Sequence, residues 1–196
     1  MEDVPVLILA AGASRRMRGR DKLLEPLDGV PLLRRQALMA LEVSGAVHVA
    51  LPPAPHPRDA VLADLDVHLI RVPDPSEGMG ASLRTSFAAM TAPRTLLLLA
   101  DLAALRAEDL RAVLAAPRTA SEAVIWRGAT ADGRGGHPML VDRAVYPDFV
   151  VLTGDDGGRS VVKRHGGHLV PLEGDRARLD LDTPEDWASF LARNDG

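Results

Sequence analysis

Residues 5–24, PVLILAAGASRRMRGRDKLL, constrain this chain more than any other stretch. Val6 to Leu9 form an apolar run of the kind a fully buried parallel strand needs. Ala10-Ala11-Gly12-Ala13-Ser14 follows with almost no side-chain bulk, so its backbone can approach a ligand and turn N–H groups toward it. Arg15, Arg16, Arg18, Arg20 and Lys22 then place five cations in eight residues, opposed only by Asp21. Together these features read as a grip for a polyphosphate. They also fit a plain βα turn followed by a solvated basic face.

Charge and composition narrow the choice. The whole chain has a net charge of −4, which argues against a nucleic-acid or membrane-surface protein and makes the basic cluster local, suited to a small anionic ligand. Aromatics are only 3%, so there is no stacking platform for single-stranded bases, and the core must be aliphatic. Cysteine is absent, which excludes disulfides, thiolate chemistry and cysteine metal sites and fits a reducing cytoplasm. The first residues do not read as a signal peptide, and no apolar stretch is long enough to span a membrane. The expectation is a cytoplasmic protein, a monomer by default. A length of 196 residues suits one domain over 1–196.

Short apolar runs alternate with helical patterns. Strands are expected at Val6–Leu9, Ala46–Leu51, Val67–Val72 and Leu96–Ala100, the last expected at the centre for its hydrophobicity. Helices are expected from Pro31 to about Val43, Arg58 to Leu65, Ala81 to Met90 and Ala107 to Ala115. This is the βαβ pattern of an α/β fold with a mostly parallel sheet and right-handed crossovers. After residue 120 the pattern loosens into a small β-rich elaboration. Strands are expected at Ala123–Trp126, Pro138–Val141, Leu169–Leu172 and Arg178–Leu181. Gly128–Gly136 reads as a flexible turn, and Thr153–Gly158 as a glycine-rich acidic loop before a helix. Thr183-Pro184-Glu185-Asp186 is a strong helix start, with Thr as N-cap, Pro at the first position and acids in the first turn.

In open parallel sheets, ligands bind beyond the carboxyl ends of the strands. That rule brings the Ala10–Lys22 segment beside Asp101, which ends the strand Leu96–Ala100. A carboxylate beside bound phosphates is what Mg²⁺ needs, although Asp101 could equally be a loop acid. Asp180 and Asp182 flank Leu181 and would share a face of an extended strand, so either could supply a second carboxylate, or one could position the Thr183 cap. Neither a GxxxxGK[ST] loop nor a GxGxxG fingerprint is present. Gly78-Met79-Gly80-Ala81-Ser82 opens a helix whose N–H groups and Ser82 could hold a base, ribose or phosphate, or simply start the helix. His137 after Gly135-Gly136 is a candidate substrate contact or a structural histidine.

The segment LAAGASRRMRGRDKLL (9–24) resembles the signature LAAGxSxRMGxxKLL of the molybdenum-cofactor nucleotidyltransferase family. Four further segments are similar to that family in the same order: EGMGASLRTSF (77–87), LLLLADLAAL (96–105), RGGHPMLVDRAVYPDFVVLTGDDGGRSVVKRH (134–165) and LDLDTPEDWASFL (179–191). The HPML…LTGDDGG block and DxDTPED point toward the cytidylyltransferase branch. The resemblance implies a Rossmann-like three-layer α/β/α fold of the nucleotide-diphospho-sugar transferase type. It implies a nucleotide-binding half over about 1–118 and an acceptor-binding half over about 119–196. By the same resemblance, Leu9, Ala10, Ala11 and Gly12 would contact base and ribose, with Gly78 and Ser82 near the base. Ser14, Arg16 and Lys22 would hold the triphosphate, leaving Arg15, Arg18 and Arg20, at variable motif positions, to the surface. Asp101 would bind Mg²⁺ (or Mn²⁺), with Asp182 as second carboxylate and Asp180 as its competitor. His137 and the loop Gly154 to Gly158, Asp155 included, would face the acceptor.

The implied reaction transfers a nucleoside monophosphate, CMP from CTP foremost and GTP next, to molybdopterin, with a molybdoenzyme as transient partner. The acceptor could also be a sugar phosphate or phospholactate, or the chain could be a binding module without chemistry. Two positions depart from the family pattern. Ala100-Asp101-Leu102-Ala103 stands where Gly-Asp-(Met/Gln)-Pro is usual, adding a methyl group beside the aspartate and removing a rigid turn. Gly135 stands where many members have Pro.

Overall fold

The computed structural model describes residues 4–194. Seven strands form one twisted sheet: β1 (Val6–Leu9), β4 (Val47–Leu51), β5 (His68–Arg71), β6 (Arg94–Leu99), β7 (Ile125–Ala129), β8 (Gly135–Asp142) and β9 (His168–Pro171). Their spatial order is β5-β4-β1-β6-β8-β7-β9, and two short strands, β2 (Pro26–Leu27) and β3 (Val30–Pro31), make a separate hairpin. The neighbours β5-β4, β4-β1, β1-β6 and β7-β9 are parallel, whereas β8 is antiparallel to both β6 and β7. The sheet is therefore mostly parallel, with β6 at its centre as its hydrophobicity implied. The late strands extend this same sheet.

The all-apolar β1 is buried on both faces because helices cover both. Val6 and Ile8 pack into a cluster with Leu33 and Ala37 of α1 (Leu32–Leu41), Leu110 of α3 (Ala107–Ala115) and Trp187 of α6 (Pro184–Asn194). The alternate residues Leu7 and Leu9 pack on the other side with Phe87 of α2 (Met79–Ala89), Phe149 of α4 (Tyr146–Val150) and Val161 of α5 (Arg159–His165). This one-residue alternation is the pleat of a strand expressed as a three-layer α/β/α core. Among the described residues no helix is long and apolar enough to cross a membrane.

Three local expectations need correction. Only a short 3-10 turn, Pro57–Asp59, followed by further turns, stands where a helix over Arg58–Leu65 was expected, because the N–H groups of Ala60, Leu62 and Leu65 bond three residues back, to Pro57, Asp59 and Leu62, rather than four. The turn between β7 and β8 is confined to Thr130–Arg134, because both strands run into the glycine segment and pair there, Ala129 opposite Gly135. Arg178–Leu181 forms no strand. It is held instead by single backbone bonds, including Leu181 N–H to Asp101 O at 3.2 Å.

Candidate active site

The chain steps from β1 outward to β4 and β5, then returns to place β6 on the other side of β1. This reversal opens a crevice beyond the carboxyl ends of β1 and β6, the position where open α/β sheets bind ligands. A cavity of about 420 Å³ lies there. Its walls include Leu9 to Arg16, Lys22, Gly78, Ser82, Asp101, Asp155, Asp180 and Asp182.

The loop after β1 makes the floor. Ser14 is left-handed, with φ 50°, and starts the short turn Arg15–Met17. Its hydroxyl pins that conformation, accepting from Lys22 N–H at 3.3 Å and donating to Asp21 Oδ1 at 3.2 Å. Asp21 also accepts from Leu23 N–H at 3.0 Å. Burial pushes the Asp21 carboxyl up, but hydrogen bonding to Arg58, that residue's charge and the other donors outweigh it and hold the carboxyl below its ordinary range.

The loop after β6 brings in Asp101. In this chain it is held by packing and hydrogen bonds where the family pattern has Gly and Pro. Ala100, Leu102 and Ala103 are buried, Gln36 Nε2 donates to Leu102 O at 3.1 Å, and Ala103 N–H donates to Asp101 O at 3.0 Å. The third wall is the start of α6. Thr183 caps it as expected, its hydroxyl accepting from Asp186 N–H at 3.1 Å, and Asp186 accepts in return from Thr183 N–H at 2.8 Å and from Asp182 N–H at 3.2 Å. It is thus Asp186 that positions the Thr183 cap, the role considered for Asp180 or Asp182.

These walls meet at Lys22. Its Nζ lies 2.5 Å from Asp101 Oδ2 and 2.6 Å from Asp182 Oδ1, and Arg16 Nη2 lies 2.6 Å from Asp182 Oδ2. Burial alone would depress the Lys22 ammonium, but the two carboxylates raise it and keep it charged. Burial pushes Asp182 up, and the Lys22 hydrogen bond and charge bring it below its ordinary range. Asp180 moves the other way, pushed up by partial burial and then by the neighbouring Asp182 carboxylate. It is therefore Asp182, rather than Asp180, that shares a cation with Asp101. Asp101 Oδ1 is buried without a hydrogen-bond partner. Among the described residues no three His, Cys, Asp or Glu side chains form a ready-made metal cage.

The fourth wall joins two glycine motifs. Gly80 N–H donates to Gly154 O at 2.8 Å, and a Cβ on Gly80 would stand 2.8 Å from that oxygen. Gly78 has φ +116°, and a Cβ there would meet Asp155 Oδ1 at 2.3 Å. The missing side chains let the Thr153–Gly158 loop dock on the start of α2 and present Asp155 to the cavity. Gly154 supports that wall from behind and does not line the cavity, and neither does His137. The His137 imidazole is pushed down to about 4, mainly by burial, and its Nδ1 has no partner. Of the remaining arginines, Arg18 pairs with Glu185 and Arg20 with Glu25 at the surface, but Arg15, expected there too, lines the cavity.

Sequence reasoning missed Arg58, which reaches under the floor, and gave Asp21 no role beyond an opposing charge. No motif marks Arg58, because its loop lies 36 residues beyond Lys22.

Residues 6–169 match the family described as the MobA-like NTP transferase domain. Rv0371c from Mycobacterium tuberculosis H37Rv superimposes with a TM-score of 0.85 at 27% identity, covering 97% of both chains. The rv0371c homologue from Mycobacterium sp. strain JC1 gives 0.81 at 32% identity, covering 97% of this chain and 96% of its own. Rv0371c in complex with manganese gives 0.80 at 26% identity, covering 97% of this chain and 98% of its own. A search of curated proteins finds no match. A family match over most of the chain, the shared fold and a cavity lined by the signature residues agree: this chain belongs to the MobA-like NTP transferase family and is a nucleotidyltransferase.

Proposed function

We propose that the chain transfers CMP from CTP to the phosphate of a molybdopterin-type acceptor and releases pyrophosphate, with Mg²⁺ or Mn²⁺ bound by Asp101 and Asp182. The observation that carries this reading is the convergence of Lys22, Arg16, Asp101 and Asp182 in the cavity that the small-residue loop also lines. The preference for CTP rests on the cytidylyltransferase-like blocks at 134–165 and 179–191.

The triphosphate lies against the loop Ala10–Ser14, whose unencumbered backbone can donate N–H groups to phosphate oxygens. Arg16 and Lys22 bind the same oxygens, and Lys22 offsets the charge that grows on the departing pyrophosphate. An acceptor-phosphate oxygen attacks the α-phosphorus in line. The bond from that phosphorus to the bridging oxygen breaks, and pyrophosphate carries away the electron pair. The acceptor oxygen is already ionised, so no side chain has to remove its proton. Positioning and charge compensation therefore suffice. Asp155 and the loop behind it border the acceptor's place.

A divalent cation fits Asp101 and Asp182 because both offer hard oxygen donors, one of them an orphaned buried oxygen. When bound, it supplies further neutralisation of phosphate charge. The similar protein Rv0371c has been solved with manganese.

The deciding experiment measures pyrophosphate release from CTP, GTP and ATP with Mg²⁺ and molybdopterin. Release with CTP and molybdopterin is the expected result. Release only with a sugar phosphate or phospholactate would replace the acceptor. Nucleotide binding without release would make the chain a binding module.

A further inference from the structure

Arg58 sits at the end of the proline-rich loop after β4 and is only 2% exposed. A guanidinium at that depth is costly unless its donors are paired. Here they are paired, and every partner belongs to the floor of the cavity. Nε donates to Asp21 Oδ2 at 2.8 Å and Nη2 to Asp21 Oδ1 at 2.8 Å, a bidentate fork. Nη2 also donates to Gly12 O at 2.7 Å, and Nη1 donates to Ala10 O. Ser14 Oγ lies 3.4 Å from Nη2.

Two consequences follow for the loop. In a trans peptide the C=O and the following N–H point in opposite directions. Carbonyls of Ala10 and Gly12 turned onto Arg58 therefore turn the N–H groups of Ala11 and Ala13 away from it, and both residues line the cavity. The same bonds take two partial negative charges out of the place where a triphosphate must lie. The second consequence runs through Asp21. Held by Arg58, it accepts from Ser14 Oγ, and Ser14 Oγ in turn accepts from Lys22 N–H. Both ends of the loop are thereby fixed by one side chain from a different part of the chain.

We propose that Arg58 is the positioning residue of the triphosphate site. It touches no substrate. From beneath the loop it aims the Ala11 and Ala13 amides and sets Lys22. The proposal rests on the reading of residues 10–22 as the triphosphate floor.

The test compares Arg58→Lys with the wild type. Lysine keeps the charge but is a point donor that cannot span a carboxylate and two carbonyls at once. Affinity for CTP with Mg²⁺ is measured by calorimetry, KM for CTP and for the acceptor by pyrophosphate release, and folding by circular dichroism. The expected result is a folded variant whose KM and Kd for CTP rise about tenfold or more while the acceptor KM holds, the pattern of lost nucleotide binding rather than general damage. Asp21→Asn cuts the same fork from the other side, should show the same selective rise, and decides the matter if Arg58→Lys does not fold. Unchanged CTP affinity in a folded variant overturns the proposal. So does a parallel loss toward CTP and acceptor. Wild-type protein that binds none of CTP, GTP and ATP overturns the triphosphate reading itself, and the proposal with it.

Discussion

Lys22 Nζ and Asp182 Oδ1, 160 positions apart in the chain, stand 2.6 Å apart at the mouth of the sheet. Asp101 completes the contact at 2.5 Å, so one ammonium ties together the loops after β1 and β6 and the start of α6. The three elements meet where phosphate charge would be handled, and this makes Lys22 the first residue to change. Lys22→Ala and Asp101→Ala should each reduce kcat/KM by about 10²-fold or more, the scale of one lost electrostatic contact to the transition state. Pyrophosphate release from CTP checks this, and unchanged turnover in both variants would remove these residues from the site.

Removal of divalent metal should stop turnover. EDTA is expected to abolish pyrophosphate release, and Mg²⁺ or Mn²⁺ to restore it. Losing even an outer partner of a metal ligand costs 10–100-fold in affinity or activity. Asp182→Asn should therefore need at least about tenfold more metal for half-maximal rate, whereas Asp180→Asn should need little more. A metal titration of the two variants separates them, and equal requirements would count against Asp182.

His137 should make stability depend on pH. Its imidazole titrates near 4 in the folded protein against 6.5 in a free histidine. The unfolded chain binds a proton across that window and the folded chain does not, so stability is complete above pH 6.5 and falls as the pH drops toward 4. The loss is at most about 3 kcal/mol. Urea unfolding at pH 7.5 and pH 5 should show a steeper loss for wild type than for His137→Gln. Identical slopes would mean that His137 is not buried neutral.

Gly80→Ala should loosen the docked acceptor loop. Alanine in place of glycine inside a helix gains about 1 kcal/mol. The new methyl, however, would stand 2.8 Å from the backbone of both Thr153 and Gly154, which cannot rotate away. Overpacking of this kind costs about 1–3 kcal/mol, so the net effect is destabilising. The expected outcome is a lower Tm and a raised KM for the acceptor with little change in KM for CTP. A higher Tm would show that the loop can yield.

Much of the site could be read from local chemistry. The bulk-free turn after β1, the acid after β6 and the paired aspartates before α6 each carry their reason in a few neighbouring residues. Other features could not be read this way. A helix over 58–65 was expected after the proline loop, yet the backbone there closes only three-residue turns. Gly78-Met79-Gly80 read as a ligand contact or a plain helix start; Gly78 lines the cavity, and the close fit of both glycines against the loop Thr153–Asp155 could not be read locally. The departure at Ala100–Ala103 looked like a lost turn. Burial of Leu102 and the Gln36 bond to its carbonyl hold that loop in place.

The sequence by itself determined the α/β alternation, the buried first strand and the residue types of the cavity floor, because hydrophobic period, small-residue turns and charge act over short distances. Only the tertiary structure decided that Asp182, rather than Asp180, shares the Lys22 ammonium with Asp101. It alone seated Arg58 under the loop and left His137 outside the cavity wall. Each of these depends on which distant segments the sheet order brings within hydrogen-bond reach, and a hydrogen bond at 2.6 Å carries no trace in the sequence separating partners 160 positions apart.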